Sequence, residues 1–279
     1  MLKQRVITAL ILAPLFLALV FLADDRIFAL VIGAIVTLAG WEWARLSGLK
    51  RAWQRILYAL TLVPAIWLVA HREVTTVLSA SLIWWGIAAL LVVTYPFSAR
   101  SWSNPVLRLA VGYLVLAPTW LAVTRMREGD WTGLGVPADG SPWMLLYSLA
   151  IVFCADIGAY FAGKTFGKHK LAPRVSPGKS IEGVVGGVLA VALFAWSVGS
   201  MVLHMTSAQL GSWVGVSMLC GLLSVLGDLM ESLAKREAGV KDSSSLLPGH
   251  GGILDRIDSI TLAAPLFLFI ALQLGWVAV

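Results

Sequence analysis

The chain has 279 residues, of which 59% are hydrophobic and 13% are charged, and its formal net charge is +6. An ordinary soluble domain carries roughly a quarter charged residues, so this composition excludes a soluble fold and indicates a polytopic membrane protein. The positive charge suits anionic lipid headgroups or a nucleotide, although basic cytoplasmic loops alone would produce the same excess.

Runs of about 18–20 apolar residues recur along the chain, and each is long enough to cross a hydrocarbon core of about 30 Å. We predict an all-α membrane domain, a single unit over 1–279, with about nine spans. The predicted spans are 6–23, 27–46, 56–70, 77–96, 106–124, 144–163, 181–203, 213–233 and 260–277. No cleavage pattern of small residues follows the first run, so we expect it to remain as an anchor.

The basic residues are distributed unequally between alternate connections. With the N-terminus in the cytoplasm, the inside segments hold 17 of the 21 basic residues, and the outside connections hold only Arg26, Arg72, Arg125 and Arg127. The positive-inside rule therefore predicts a cytoplasmic N-terminus, an external C-terminus and an odd number of spans.

The first half, residues 1–143, consists of hydrophobic spans with short connections, and we interpret it mainly as scaffold. Its one unusual intramembrane charge is Glu42, near the cytoplasmic end of the second span. We expect Glu42 to reach the headgroup level or to pair with Arg45 one turn on, and a catalytic role is the less favoured alternative. The two cysteines, Cys154 and Cys220, lie in later spans without metal-ligand spacing and are predicted to be packing residues.

The second half, residues 144–279, brings acidic side chains into apolar surroundings. A charge at the bilayer centre costs about 2.5–3.5 kcal/mol on insertion scales, so acids there are functional candidates by default. These acids are Asp156, Glu182, Asp228, Glu231, Asp255 and Asp258.

The connection between the sixth and seventh spans is too rich in glycine, proline and basic residues to be a helix. Ser176, followed by proline, or Ser180 can begin the next helix, with Glu182 close behind. A helix N-terminus beside Lys179 would bind phosphate. The stretch GKTFGKHK lacks the spacing of a P-loop, and basic topology with a good helix cap is the alternative explanation.

One face of the eighth span is polar. On a helix, Asp228, Glu231, Ser232 and Lys235 fall within roughly one 100° arc. Glu231 and Lys235, four residues apart, could form a simple surface pair, but such a pair does not explain the more deeply placed Asp228.

The signature segment, residues 241–259, reads KDSSSLLPGHGGILDRIDS and connects the last two spans. If a helix begins near Ile253, the carboxylates of Asp255 and Asp258 share a face with Cβ atoms about 5–6 Å apart. With Asp228 opposite, they would form an oxygen-rich site for Mg²⁺, which shares its remaining positions with phosphates. Glycines beside His250 allow backbone N–H groups to approach a ligand. The bases that would neutralise phosphate are Lys235, Arg236, Lys241 and Arg256.

Two segments of the second half resemble a known protein family. Residues 232–258, SLAKREAGVKDSSSLLPGHGGILDRID, and residues 156–183 both resemble the phosphatidate cytidylyltransferases, or CDP-diacylglycerol synthases. Ala234 and Ile157 depart from the family pattern, where a larger apolar residue and threonine are expected, but neither change removes a charge or a glycine. The resemblance implies that phosphatidate and CTP give CDP-diacylglycerol and pyrophosphate, with a divalent metal, at the cytoplasmic face of a bacterial inner membrane.

The resemblance also implies roles for individual residues. Asp228 and Asp255 would bind the metal with help from Asp258, and a second, monovalent cation such as K⁺ is compatible with so many carboxylates. Catalytic roles would fall to Asp228, Asp255, Lys235 and Arg236. The candidate substrate-binding residues are Ser176, Lys179, Ser180, Ser232, Lys241, Asp242, His250, Gly251, Gly252 and Arg256. Asp156, Glu182 and Glu231 are accessory candidates. The expected partners are CTP, phosphatidate and the bilayer, and we expect no nucleic-acid partner. A homodimer is one possible assembly.

Two other classes of function stay open at this level. A transporter with a midplane ion site would also place acids and helix-breaking glycines in the membrane, although here the polar groups cluster at one face. Another lipid-phosphate enzyme, such as a polyprenol or phytol kinase, is the second alternative. The phosphatidyltransferases that consume CDP-diacylglycerol should carry a D-G-x-x-A-R motif, which this sequence lacks.

Overall fold

The computed structural model describes residues 2–279, which form a bundle of long helices with one small β-hairpin. The helices of the first half are α1 (Leu2–Leu22), α2 (Asp25–Leu46), α3 (Ala52–Ala70), α4 (Val74–Val93), α5 (Ala99–Trp102) and α6 (Pro105–Glu128). The second half contains α7 (Ser141–Phe166), β1 (Lys170–Ala172), β2 (Ser176–Ser180), α8 (Ile181–Ser197), α9 (Ser207–Glu237), α10 (Leu254–Ile257) and α11 (Ile260–Gln273).

The predicted spans correspond to helices throughout the described chain. Seven of these helices are long and apolar enough to cross a membrane: α2, α3, α4, α6, α7, α9, and α8 with the π-helical turn that extends it to Val202. The apolar stretch Val6–Leu22 of α1 and the 14 residues of α11 are shorter. The multi-pass α-helical class is therefore confirmed, whereas nine spans and the orientation of the termini stay predictions. The side chains of Lys3 and Arg5, counted for that orientation, lie outside the described part.

Local sequence signals explain where the long helices begin. Asp24 caps α2 by accepting a hydrogen bond from the Ile27 N–H at 2.8 Å. Thr206 and Gln209 form a reciprocal capping box at the start of α9. Each cap satisfies N–H groups that the first helical turn cannot pair internally.

The helices α7 and α8 pack closely because small residues face each other. A Cβ on Gly158 would lie 2.6 Å from the Ala190 Cβ, and a Cβ on Gly187 would lie 2.6 Å from the carbonyl oxygen of Ala155. In a membrane, close backbone approach replaces the hydrophobic effect as the main source of helix packing. The pair α7 and α8 therefore forms a rigid wall beside the connection that joins them.

The connection between α7 and α8 is an antiparallel hairpin in which Ala172 pairs with Ser176 and Lys170 pairs with Ser180. The expectation that this connection is not helical is confirmed, and of the two proposed helix starts the structure selects Ser180. The Ser180 hydroxyl accepts a hydrogen bond from the Gly183 N–H at 3.1 Å and caps α8.

The last predicted span is preceded by a separate helical turn, α10, which begins at Leu254, close to the predicted start. Gly227 of α9 lies against this break, because a Cβ there would overlap the backbone carbonyl of Asp258. The glycine therefore allows α9 to approach the chain between α10 and α11. Both cysteines are unpaired thiols, as expected for packing residues.

Candidate active site

A polar cavity of about 460 Å³ lies between α7, the hairpin, α8 and α9. Its polar lining comes from Asp156 and Lys164 of α7, Lys179 and Ser180 of β2, and Asp228 of α9. The helix α9 has 31 residues and is about 46 Å long, which exceeds the hydrocarbon thickness of about 30 Å. Its last ten residues can therefore carry charges to one polar end of the bundle.

An ion pair crosses this polar cavity. Lys179 Nζ lies 2.6 Å from Asp228 Oδ2, and the Ser232 hydroxyl donates to Asp228 Oδ1 at 3.1 Å. The hairpin positions the lysine and α9 positions the acid, so two segments that are about fifty residues apart in the sequence meet here. Three of the predicted site residues are thus brought together.

Two other predicted residues hold the hairpin in place. Glu182 accepts hydrogen bonds from the Lys168 N–H at 3.1 Å and from the His169 N–H and ring Nδ1, the latter at 2.6 Å. Arg236 Nε donates to the carbonyl oxygen of Val175 at 3.2 Å. Both side chains contact the hairpin and are absent from the lining of the polar cavity. Their visible contacts position Lys179 and Ser180.

A second charged cluster lies beside the polar cavity, where α9 meets the signature segment. Lys235 Nζ bridges Glu231 Oε2 at 2.6 Å and Asp255 Oδ1 at 2.8 Å. Asp255 Oδ2 also accepts hydrogen bonds from the Ser243 hydroxyl at 2.9 Å and from the Gly252 N–H at 2.7 Å. Burial alone would raise the pKa of Asp255, but Lys235 and the Gly252 N–H outweigh burial and lower it. Asp255 is therefore held as a carboxylate.

The glycine turn closes onto Asp255. The Leu247 N–H donates to the carbonyl oxygen of Gly251 at 2.8 Å, and Gly251 has a φ of +85°, a conformation that strains side-chain-bearing residues. A Cβ on Gly251 would lie 2.8 Å from Asp255 Oδ2. The sequence predicted that backbone N–H groups of this turn approach a ligand. In the structure, the Gly252 N–H approaches the carboxylate of Asp255.

Glu42 of α2 anchors the signature segment from the opposite side, a role that the sequence did not reveal. The fully buried carboxylate accepts hydrogen bonds from the Ile253 N–H at 3.0 Å and the Leu254 N–H at 2.6 Å. It also accepts from the hydroxyls of Ser243 at 3.1 Å and Ser244 at 2.5 Å. The high cost of a carboxylate in an apolar helix was the only available signal, because all four donors lie more than 200 residues away.

Arg45 contacts the same loop and does not pair with Glu42. Its Nη1 donates to the carbonyl oxygen of Ser243 at 2.9 Å. The expected pairing of Glu42 with Arg45 is therefore wrong, because the loop offers the carboxylate two backbone N–H groups and two hydroxyls. Both side chains of α2 fix the loop that carries Asp255.

Asp258, between α10 and α11, lies near both clusters. Burial, and then the negative charge of Asp228, raise the pKa of Asp258 to about 7. Glu231 is 3% exposed, and no N–H or hydroxyl group of the described residues donates to its Oε1, which leaves its carboxyl beside that of Asp258. These are signs of acidic groups that lack enough counter-charge.

The grouping of acids fits a hard cation. Five acids, Asp156, Asp228, Glu231, Asp255 and Asp258, interact with one another, and nearby bases include Lys179, Lys235 and Arg256, with Lys164 in the lining of the polar cavity. Carboxylate oxygens of this kind suit Mg²⁺. Over residues 2–279, no three acidic, histidine or cysteine side chains are arranged to hold one metal ion together. The metal-binding roles of Asp228, Asp255 and Asp258 stay predictions.

The remaining predicted residues lie around these clusters. Lys241 and Asp242 are exposed at the start of the signature segment, and His250 is half-buried in the glycine turn. Ser176 pairs within the hairpin. Arg256 is exposed and lies close enough to Asp156 for electrostatic attraction. Their substrate-binding roles stay predictions.

Comparison with known proteins agrees with the resemblance noted in the sequence. The family model for the cytidylyltransferase family matches residues 3–274. The chain belongs to the cytidylyltransferase family. It is 45% identical over 278 residues to a phosphatidate cytidylyltransferase of Pseudomonas aeruginosa, which covers 99% of each chain. It is 41% identical to the enzyme of that name from Haemophilus influenzae, over 96% of this chain and 98% of the relative. A Brucella suis phosphatidate cytidylyltransferase is 35% identical over 96% of this chain and 93% of its own length.

Proposed function

We propose that this member of the cytidylyltransferase family transfers the cytidylyl group of CTP to phosphatidate, giving CDP-diacylglycerol and pyrophosphate. The observation that carries the proposal is the polar cavity in which Lys179 and Asp228 meet, beside a signature segment whose Asp255 is held by several donors. The names of three relatives with 35–45% identity support the same reaction.

In the proposed reaction, an oxygen of the phosphatidate phosphate attacks the α-phosphorus of CTP. A new P–O bond joins the two phosphates, the bond between the α-phosphorus and the bridging oxygen breaks, and pyrophosphate leaves with that electron pair. A phosphate oxygen is already anionic, so the step needs no general base. The protein contributes mainly positioning and charge neutralisation.

Lys179 and Lys235 have the charge needed to neutralise phosphate oxygens. Each is paired with carboxylates here, Lys179 with Asp228 and Lys235 with Glu231 and Asp255. An arriving triphosphate would compete for the lysines, and the freed carboxylates would become available as ligands. Ser180 lines the polar cavity and Ser232 contacts Asp228, and both hydroxyls can donate hydrogen bonds.

We propose that Mg²⁺ is held by Asp228 and Asp255, with help from Asp258, once Lys235 is displaced from Asp255. The bound ion would supply charge neutralisation at the triphosphate. The five carboxylates grouped in and beside the polar cavity support a divalent cation, and a monovalent cation such as K⁺ beside it remains part of the proposal.

We further propose that the site faces the cytoplasm of a bacterial inner membrane. The basic residues predicted for the inside segments include Lys179 and Lys235, and the relatives are bacterial. In this arrangement 144–279 carries the reactive groups and 1–143 is mainly scaffold, which contacts the signature segment through Glu42, Arg45 and Thr8.

The direct test uses purified, detergent-solubilised protein with labelled CTP, Mg²⁺ and phosphatidate. We expect label to enter a lipid that comigrates with CDP-diacylglycerol, and phosphatidate replaced by diacylglycerol should give none. Transfer of phosphate to a lipid alcohol would favour a kinase. Ion or solute flux into proteoliposomes without nucleotide turnover would favour a transporter.

A further inference from the structure

A second space, the apolar groove, lies on the other side of the signature segment. It has a volume of about 550 Å³ and lies between α1, α2 and the chain around α10. Its walls include Leu15 and Leu19 of α1, Val31 and Ile35 of α2, and Ile257. Leu15 is 62% exposed and Val31 is 38% exposed, so the groove opens towards the surroundings of the bundle.

Arg256 is the one charged side chain among the described residues that line the apolar groove. The same residue lies close enough to Asp156 of the polar cavity for electrostatic attraction. Arg256 thus connects an aliphatic groove with a site of acids and lysines. Its neighbour Asp255 belongs to the second charged cluster.

Part of the wall of the apolar groove comes from the signature segment and the residue that follows it. Leu247, Ile253, Ile257 and Ile260 contribute to its wall, and the Thr8 hydroxyl of α1 donates to the carbonyl oxygen of Pro248 at 3.2 Å. One short stretch of chain therefore presents Asp255 to the second charged cluster, beside the polar cavity, and aliphatic side chains to the groove. A molecule with a phosphate and a long hydrocarbon tail matches both sides.

We propose that the apolar groove seats one acyl chain of the lipid substrate, with the phosphate of that lipid at Arg256. The inference rests on the proposed function, because it requires phosphatidate as the acceptor. Lipid tails are as apolar as leucine, so the groove gains little from the hydrophobic effect. The groove instead selects the acyl chain by its shape, and the seated chain orients the lipid phosphate towards the polar cavity.

The test narrows the groove at a partly exposed position. Val31→Trp would fill part of the space, whereas Leu30→Trp, at a neighbouring α2 residue that is 73% exposed and outside the groove, is the matched control. For dioleoyl phosphatidate we expect the kcat/KM of Val31→Trp to fall about tenfold. The indole ring would occupy space that the acyl chain needs, and overpacking of a close contact typically costs enough free energy for a loss of this size. With dihexanoyl phosphatidate, whose tails are short, kcat/KM should be unchanged, as should the KM for CTP.

Equal losses for both lipids, or equal losses in Val31→Trp and Leu30→Trp, would overturn the groove assignment. A second measurement uses the unaltered chain and a phosphatidate with a photoreactive group near the end of one acyl chain. We expect crosslinks in peptides that contain residues 12–19 or 31–36, and crosslinks confined to other helices would also overturn the assignment. If the unaltered chain makes no CDP-diacylglycerol from either lipid, the proposed function fails. The crosslinks would still show whether an acyl chain lies in the groove.

Discussion

Replacement of Glu42 by glutamine tests whether the first half of the chain positions the signature segment. Each carboxylate oxygen of Glu42 accepts one backbone N–H and one serine hydroxyl: Oε1 from Ile253 and Ser244, Oε2 from Leu254 and Ser243. In Glu42→Gln one of these oxygens becomes an NH₂ group. Whichever oxygen is replaced, one backbone N–H then faces a donor. The hydroxyl beside it can rotate to accept.

The magnitude follows from that single unpaired N–H. A buried donor left without a partner costs about 1–3 kcal/mol. Larger domains lose about 2–4 °C in Tm for each kcal/mol, so we expect a lower Tm by several degrees. The single proton of the Ser243 hydroxyl is shared between Glu42 Oε2 at 3.1 Å and Asp255 Oδ2 at 2.9 Å, so the disturbance reaches the proposed site. A displacement of about 1 Å there would reduce kcat about 100-fold.

The assay compares Glu42→Gln with the unaltered protein in thermal unfolding and in CDP-diacylglycerol synthesis, both in the same detergent. Glu73→Gln is the control, because Glu73 is an exposed acid that accepts hydrogen bonds at the N-terminus of α4. Its activity should be unchanged. Unchanged kcat and Tm in Glu42→Gln would refute the positioning role.

Three further predictions concern the clusters and the helix packing around them. Asp228→Asn and Asp255→Asn should each abolish turnover at any Mg²⁺ concentration while the protein still inserts, and full activity in either variant would contradict the metal assignment. Gly227→Ala should cost about 1–3 kcal/mol in the free energy of unfolding and lower kcat, because the added Cβ overlaps the backbone at Asp258. Its control is Gly215→Ala on the same helix, where a Cβ meets nothing within 4 Å; equal unfolding midpoints would contradict the packing argument. Arg72→Ala, in a predicted outside loop, should leave CDP-diacylglycerol synthesis unchanged, and a loss would count against the predicted topology.

The sequence predicted the helices and much of the candidate site because both depend on local signals. Apolar length marks the long helices, and the polar face of α9 follows from helical periodicity over a few residues. The predicted start near Ile253 agrees with α10, which begins at Leu254. Ser180 was recognised as one of two capping candidates from its neighbours alone.

The contacts that arrange the site could not be predicted, because they join distant parts of the chain. Lys179 pairs with Asp228 across a cavity, and Glu42 meets the loop that follows α9. Arg236 was expected at phosphate, but its visible partner is the hairpin carbonyl of Val175. Which acid pairs with which base depends on helix packing, and neither spacing nor periodicity determines it.

Cytidylyl transfer to a lipid phosphate is the reaction that we propose for this protein. Its most direct test is the release of pyrophosphate from CTP by the detergent-solubilised protein, with and without phosphatidate. We expect release that requires both phosphatidate and Mg²⁺, with one pyrophosphate for each CDP-diacylglycerol formed. Release of pyrophosphate at the same rate without phosphatidate, or no release when both are present, would contradict it.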